Sequence, residues 1–255
     1  MVNVEIIGLV DVFYILDVEQ IKTRCHISLR IPAVIHGAGK AFFIQTNILL
    51  FGKNGQVGWE LQRALAPLGR ITAVDFDSTD YCGDFSNPAG VAETVRLVKP
   101  DVIVNAAAHT AVDKAESERE FAELLNATSV AAIAKEAEAL GAWLVHYSTD
   151  YVFDGSKPAP YTESDTPNPL SVYGQSKLAG ERAIVAVGGE YLILRTSWVY
   201  SNHGKNFLLT MQRLLQEKPQ MRIVADQIGA PTWAGSIARS TRALIERWQA
   251  GAAGA

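Results

Sequence analysis

The sequence predicts an α/β fold built on a doubly wound parallel sheet, and three observations support this prediction. From residue 47 onward, short apolar runs alternate with segments of helical spacing. A glycine-rich turn follows the first apolar run and leads into the first helix. The chain has 255 residues, 48% of them apolar and 20% charged, which is ordinary for a globular domain with a buried core. Right-handed crossovers then make the strands parallel.

Each element is predicted from its place in this alternation. An apolar run that ends at a glycine, aspartate or asparagine predicts a strand, and the helically spaced segment after it predicts a helix. In chain order the predicted elements are strand Asn47–Phe51, helix Gln56–Ala66, strand Ile71–Val74, helix Ala89–Val98, strand Val102–Asn105, helix Asn126–Leu140, strand Trp143–Ser148, helix Tyr173–Val187, strand Tyr191–Leu194, helix Phe207–Gln216 and strand Met221–Val224.

Composition excludes several classes of protein. The net charge of −4 argues against a nucleic-acid partner, which requires concentrated Lys and Arg. Two cysteines, Cys25 and Cys82, imply no disulfide framework and favour a reducing compartment. Acidic residues interrupt the apolar opening, which is also too short for a membrane span or a signal peptide. We therefore expect a cytoplasmic protein without a membrane partner.

The glycine turn predicts a dinucleotide site. Gly52, Gly55 and Gly58 follow the first strand with the spacing G-x-x-G-x-x-G, and Gln56 and Val57 lie between the last two glycines. Glycines permit the tight turn and the close approach of backbone to a pyrophosphate, and the helix that follows points its free N–H groups at the phosphates. The position between a strand and a helix makes this more specific than glycines that only mark a turn.

Three further segments are predicted to line the cofactor. Asp75, at the end of the second strand, can accept the adenosine ribose hydroxyl, which favours NADH, whereas Lys53 in the turn could offset the repulsion of a 2′-phosphate. The choice between NADH and NADPH therefore stays open. Asp84 and Phe85 could flank the adenine; a local loop turn at Asp84 is an equal alternative. Small residues after the third strand, with Ala108, His109 and Thr110, allow a flat cofactor to lie against the backbone.

Tyr173 and Lys177 are the candidate catalytic pair. Their i, i+4 spacing places a phenol and an ammonium on one helix face, where the cation is expected to lower the pKa of the phenol. Thr149, 24 residues before Tyr173, directly follows the apolar strand Trp143–Ser148 and could stabilise negative charge that develops on a substrate carbonyl. Each motif alone is weak, and together they favour a reductase.

These residues resemble the extended short-chain dehydrogenase/reductase family, and within it the branch that acts on dTDP-4-dehydrorhamnose. The matching stretches run from Asn47 to about Ala250 and include Asn105–Glu116, His146–Phe153, Tyr173–Lys177, Arg195–Tyr200 and Asp226–Thr232. The resemblance implies a Rossmann-like fold and reduction of the C4 keto group of dTDP-4-dehydro-β-L-rhamnose to dTDP-L-rhamnose, with NADPH or NADH as cofactor.

The resemblance also implies roles for individual residues. Tyr173 would be the proton donor, Lys177 its modulator and a ribose ligand, and Thr149 the stabiliser of the oxyanion. Thr149, Asp150 and Trp198 would contact the dTDP-sugar. Related enzymes are homodimers that can bind Mg²⁺ through glutamates, and Glu60 matches one such position, although a solvated helix residue is the plainer interpretation.

The chain departs from the family pattern at both ends. Residues 1–46 precede the expected first strand as an atypical N-terminal extension that need not be ordered, and residues 47–255 would hold the cofactor domain and the start of the substrate lobe. Position 46 is Thr, where a start Met is expected, which suggests an extended reading frame. The family continues beyond Trp248 with a C-terminal lobe, so we expect that lobe to be truncated and activity to be reduced.

Two alternatives were weighed against the reductase. A sugar-nucleotide 4,6-dehydratase would need a second carboxylate after Asp150, where this chain has Tyr151, so dehydration is disfavoured. A non-catalytic, NADP-binding regulatory subunit, like that of methionine adenosyltransferase, or an inactive truncated homologue stays open. Consumption of cofactor in the presence of the keto sugar distinguishes these readings, because a binding module consumes none.

Overall fold

The computed structural model describes residues 14–15, 45–218, 220, 222–224 and 226–251 of the chain. Most of the predicted N-terminal extension and the last four residues therefore lie outside the described residues. The strands are β1 (Tyr14–Ile15), β2 (Thr46–Phe51), β3 (Gly69–Val74), β4 (Val102–Asn105), β5 (Trp143–Thr149), β6 (Tyr191–Thr196), β7 (Val199–Tyr200) and β8 (Thr232–Trp233). The α-helices are α1 (Gln56–Leu65), α2 (Pro88–Val98), α3 (Val112–Ser117), α4 (Arg119–Glu123), α5 (Ser129–Leu140), α6 (Val172–Val187), α7 (Phe207–Glu217) and α8 (Ala234–Gln249).

The main sheet has the order β1-β6-β5-β4-β2-β3. Strands β2 to β6 are parallel to one another, and β1 pairs antiparallel with β6 at the edge. From β2 the chain first crosses to β3 on one side and then to β4 on the other, so the strand order reverses between β2 and β4. The doubly wound parallel sheet predicted from the sequence is confirmed, and ligands of such sheets bind at the carboxyl ends of the strands near this reversal.

The sheet separates two apolar cores. Leu49 and Phe51 point to the face covered by α2, α5 and α6, and Ile48 and Leu50 to the face covered by α1 and α8. All four side chains are fully buried. Strands that are buried on both faces read as continuous apolar runs, which is the reason they could be recognised in the sequence.

Two predicted elements differ from their predicted form. Residues 222–224 form no strand: Ile223 and Val224 are 53% and 68% exposed, and the strand that pairs with β7 is Thr232–Trp233 instead. An apolar run becomes a strand only where a neighbouring strand accepts its hydrogen bonds. The helix predicted to begin at Asn126 begins as an α-helix at Ser129, after a π-helical turn over Leu124–Thr128.

None of the helices in the described ranges combines the length and apolar character needed to cross a membrane.

Candidate active site

The glycine turn lies at the reversal of strand order and touches the end of β4. Gly52 has a φ of +83°, and a Cβ there would lie 2.7 Å from the backbone carbon of Ala106. A Cβ on Gly58 would lie 1.9 Å from the carbonyl oxygen of Gly52. Both positions therefore require glycine, because the first turn of α1 packs against the loop that leaves β2.

Gly55 faces outward, in contrast to the other two glycines. A Cβ on Gly55 would meet only the Gly52 carbonyl oxygen, at 3.4 Å, and the residue is exposed. Gly55 precedes α1, and no side chain caps that helix end. The exposed backbone and uncapped N–H groups form a cradle that fits a pyrophosphate, so the residues present suit a nicotinamide dinucleotide. Gln56 and Val57 begin the helix, and the side-chain oxygen of Gln56 accepts a hydrogen bond from Asn206 at 2.9 Å.

Asp75 lies beside this turn, as predicted from its position at the end of β3. Its carboxylate accepts the backbone N–H of Asn54 at 2.8 Å and that of Phe76 at 2.8 Å. The carboxylate of Asp84 is bonded by the backbone and hydroxyl of Ser86, both at 2.8 Å, which is the local-turn arrangement weighed for it. The ring of Phe85 is 4% exposed and packs edge-on against Phe51 in the core.

The loop after β4 carries Ala108, His109 and Thr110. The His109 imidazole is turned toward Glu118, with Nε2 3.5 Å from the carboxylate, and it packs edge-on against Phe121. The buried amide of Asn126 holds the backbone of this loop: its oxygen accepts from the His109 N–H at 2.8 Å, and its nitrogen donates to the His109 carbonyl at 3.0 Å. The same nitrogen donates to the Ser176 hydroxyl at 3.0 Å.

Asn126 was not recognised from the sequence, although it connects the cofactor loop to the helix that carries Tyr173 and Lys177. Its only sequence signal is a polar residue on the buried face of an apolar segment, which is common in helices. The π-helical turn places its amide between the loop and α6, and such turns are frequent at functional sites.

Thr149 and Tyr173 meet at the carboxyl edge of the sheet. The Thr149 hydroxyl lies near enough to the Tyr173 phenol to lower its pKa, and Tyr173 is 9% exposed. Thr149 also donates to the Asp150 carboxylate at 3.1 Å, and the Tyr151 ring packs edge-on against that of Tyr173, with centroids 5.5 Å apart. Burial raises the pKa of Asp150 above its usual value.

The protonation of Tyr173 differs from the expectation. Burial raises the pKa of the Tyr173 phenol to about 12, and the nearby Thr149 hydroxyl only partly offsets this rise. Lys177 does not lower that pKa, because its Nζ is directed to the carbonyl oxygen of Tyr147, at 2.6 Å, and lies 3.4 Å from Nε2 of His146. Burial lowers the pKa of Lys177 to about 8. Tyr173 is therefore a protonated donor throughout the neutral range.

The stretches Arg195–Tyr200 and Asp226–Thr232, which both match the family, come together through β7 and β8. Trp198 has a φ of +44°, an unusual backbone conformation for a non-glycine residue, and is 44% exposed. A Cβ on Gly229 would lie 2.5 Å from the Trp198 indole, so the ring packs directly on that glycine. Ser197 donates to the carbonyl of Ala230 at 2.8 Å, which ties the loop after β6 to the segment before β8.

Glu60 does not fit a metal site. Its carboxylate forms an ion pair with Arg63 at 3.1 Å, and no group of three or more His, Cys, Asp or Glu residues within the described ranges could hold a metal ion. The interpretation of Glu60 as a surface helix residue is the better supported one, and no chemical step is assigned to Mg²⁺.

Comparisons with known proteins agree with this geometry. A family model described as RmlD substrate binding domain matches residues 46–254. The chain is 64% identical over 199 residues to dTDP-4-dehydrorhamnose reductase of Escherichia coli K12, a match that covers 78% of this chain and 67% of that protein. It is 51% identical over 209 residues to the dTDP-4-dehydrorhamnose reductase of Burkholderia thailandensis, covering 82% of this chain and 69% of that protein.

A solved structure shows the same fold. The crystal structure of dTDP-4-dehydrorhamnose reductase from Bacillus anthracis in complex with NADP superposes with a TM-score of 0.75 at 38% identity, covering 80% of this chain and 71% of that one. The matched family model, the two relatives and this structure lead to one conclusion: the chain belongs to the RmlD substrate binding domain family, which includes these dTDP-4-dehydrorhamnose reductases.

Proposed function

We propose that this chain is an NAD(P)H-dependent reductase that converts the C4 keto group of dTDP-4-dehydro-β-L-rhamnose to the alcohol of dTDP-L-rhamnose, a step in the synthesis of surface polysaccharide. The observation that carries the proposal is the placement of the Thr149 hydroxyl beside the buried Tyr173 phenol, one helical turn from Lys177, at the same edge of the sheet as the glycine turn. Relatives that are up to 64% identical are named dTDP-4-dehydrorhamnose reductase, which supports the choice of substrate.

The predicted binding site for the cofactor supports an oxidation–reduction reaction. The glycine turn and the N-terminus of α1 would hold the pyrophosphate, with Asp75 beside the adenosine ribose. A bound reduced nicotinamide supplies the hydride that a carbonyl reduction requires. The related Bacillus anthracis enzyme was solved with NADP, which supports NADPH as one cofactor, while Asp75 supports NADH.

Tyr173 and Thr149 provide the remaining chemistry. As the carbonyl carbon is reduced, its oxygen gains negative charge, and the Tyr173 phenol, whose pKa of about 12 keeps it protonated, can donate the proton that completes the alcohol. The Thr149 hydroxyl can turn from the Asp150 carboxylate to donate to the same oxygen. Lys177 would hold the nicotinamide ribose from the next turn of α6.

The experiment that tests this function follows the absorbance of NADPH or NADH after addition of dTDP-4-dehydro-β-L-rhamnose, with the product identified by mass spectrometry. We expect cofactor oxidation that matches dTDP-L-rhamnose formation. Tyr173→Phe should bind the cofactor and lose about 10²-fold or more of kcat. Tyr161→Phe is the matched control, because that phenol donates to Asp154 in a loop and belongs to no part of the site. Cofactor binding without oxidation by the unmodified chain would instead support the regulatory alternative.

A further inference from the structure

Three polar side chains, two on the sheet and one on helix α6, lie buried directly beneath the candidate active site. Asn105 of β4 and His146 of β5 are fully buried, and Lys177 of α6 is 2% exposed. Asn105 and His146 have no part in the chemistry proposed above. A buried imidazole between two strands is costly unless its nitrogens are satisfied, so its partners indicate what it does.

The hydrogen bonds of Asn105 determine which nitrogen of His146 carries the proton. The side-chain oxygen of Asn105 accepts the Ala107 backbone N–H at 3.0 Å. The other polar atom of this side chain, which lies 3.0 Å from Nδ1 of His146, is therefore the amide nitrogen. An amide nitrogen is only a donor, so Nδ1 must accept. Burial, followed by the charge of Lys177, lowers the pKa of His146 well below its usual value, so the ring is neutral. A neutral ring that accepts at Nδ1 carries its proton on Nε2.

This protonated nitrogen faces Lys177. Nε2 of His146 lies 3.4 Å from Nζ of Lys177, and Nζ donates to the Tyr147 carbonyl at 2.6 Å. An ammonium group has donors only, so an N–H directed at it is unfavourable. A neutral amine has a lone pair that can accept from Nε2–H while one of its own hydrogens remains bonded to Tyr147.

We propose that His146 is a positioning residue for Lys177: held by Asn105 as the Nε2–H tautomer, it donates to Nζ and favours the neutral amine of Lys177 over the ammonium. The inference depends on the proposed reductase function only where it concerns the effect of Lys177 on catalysis. It concerns the charge of Lys177 itself, which can be measured without any reaction.

The other groups around Lys177 are consistent with this role. Glu181, one turn further along α6, raises the pKa of Lys177 through its negative charge, and it is engaged by Arg195 of β6. From β5 the facing groups are the His146 ring and the Tyr147 carbonyl, and β4 contributes the neutral Asn105 behind the ring. Burial outweighs Glu181 and lowers the pKa of Lys177 to about 8, close enough to neutrality for one hydrogen bond to change the charge state.

The charge of Lys177 can be measured by NMR of protein labelled with [ε-¹³C]lysine, because the shift of the ε-carbon follows protonation of Nζ. The absence of one signal in Lys177→Arg assigns the resonance. His146→Phe removes the donor and keeps the ring volume, and we expect the pKa of Lys177 to rise by about one unit, the size of one lost hydrogen bond. His146→Gln can still present an N–H to Nζ and should restore the pKa to within a few tenths of the original.

Val145→Ala is the control for general damage. It removes buried apolar volume from the same strand without removing a polar group, so it should lower thermal stability and leave the pKa of Lys177 unchanged. A fall or no change of that pKa in His146→Phe, or a rise of equal size in Val145→Ala, would overturn the proposal.

A measurement on the unmodified protein keeps the test valid if His146→Phe does not fold. The ¹⁵N shifts of the His146 ring report directly which nitrogen is protonated, and the proposal requires Nε2. An Nδ1–H tautomer overturns it. In an active enzyme the basic limb of kcat/KM should move upward in His146→Phe by the same shift as the pKa of Lys177. An unmodified chain that shows the Nε2–H tautomer yet oxidises no cofactor refutes the reductase and leaves the His146–Lys177 relationship intact.

Discussion

Glu181 and Arg195 form a two-point ion pair that joins the catalytic helix α6 to strand β6. Arg195 Nε donates to one carboxylate oxygen at 2.9 Å and Nη2 to the other at 2.6 Å. Both side chains are less than 5% exposed, and the guanidinium lies 5.0 Å from the centre of the Phe153 ring. Because Glu181 follows Lys177 by one turn, this pair helps to set the position of α6 relative to β6, which pairs with the strand that ends in Thr149.

Removal of one partner of this pair should destabilise the fold strongly. Arg195→Met leaves the Glu181 carboxylate buried without its cation, and we expect the free energy of unfolding to fall by about 3–5 kcal/mol in urea denaturation. The double variant Glu181→Leu/Arg195→Met should recover part of that loss, because neither member of the Glu181–Arg195 pair is left buried without the other.

An exposed ion pair provides the control. Arg242 and Glu246 on α8 form a similar contact at 2.8 Å, with side chains 40% and 45% exposed. Arg242→Met should cost no more than about 0.5 kcal/mol, since water screens such pairs. Equal losses for Arg195→Met and Arg242→Met would show that the buried pair has no special role.

Substitution of Gly55 should weaken cofactor binding, whereas substitution of Gly58 should weaken folding. A Cβ on Gly55 meets only one oxygen at 3.4 Å and projects toward the proposed pyrophosphate, so Gly55→Ala should fold with a nearly unchanged Tm and bind NADPH at least about tenfold more weakly. A Cβ on Gly58 would clash with the Gly52 carbonyl at 1.9 Å, so Gly58→Ala should lower Tm markedly. Calorimetric titration and thermal melts measure both effects, and tight NADPH binding by Gly55→Ala would contradict the proposed cradle.

Thr149 is expected to act through its hydroxyl. Thr149→Val keeps the shape of the side chain and removes the donor, so kcat should fall by about 10²-fold while the affinity for NADPH is retained. Thr149→Ser keeps the hydroxyl and should stay within about tenfold of the original kcat. Steady-state kinetics with the keto sugar distinguishes the two variants, and equal activity of Val and Ser would remove Thr149 from the reaction.

The buried lysine should make stability depend on alkaline pH. The pKa of Lys177 is lowered from 10.5 to about 8, so between these values the folded state binds fewer protons than the unfolded state and stability rises with pH. The rise should reach about 3 kcal/mol and be absent in Lys177→Met. Above pH 10 the opposite sign applies, because burial raises the pKa of Tyr147 and Tyr173 and the unfolded phenols ionise first. Urea denaturation from pH 7 to 11 checks the difference between the two proteins; parallel curves would contradict a buried neutral Lys177.

Much of the fold was predictable because the central strands are buried on both faces. Ile48–Leu50 and Val102–Val104 are continuous apolar runs, and a glycine turn or a strand-end asparagine marks where each stops. The strand predicted at Met221–Val224 had a similar apolar composition and was wrong over its described residues 222–224, since no partner strand lies beside them. Composition indicates that a segment is apolar, whereas pairing depends on residues that are distant in sequence.

By itself, the sequence predicted the parallel sheet and the glycine turn and marked Thr149, Tyr173 and Lys177 as the candidate catalytic residues, because apolar runs, glycine spacing and the i, i+4 pair can be recognised in the sequence. Only the tertiary structure decided the protonation of these groups and their partners. Asn126 reaches Ser176 across 50 residues, and His146 meets Lys177 across 31. Burial raised the pKa of Tyr173 where local spacing predicted a fall, since desolvation is a property of the assembled core rather than of any single segment.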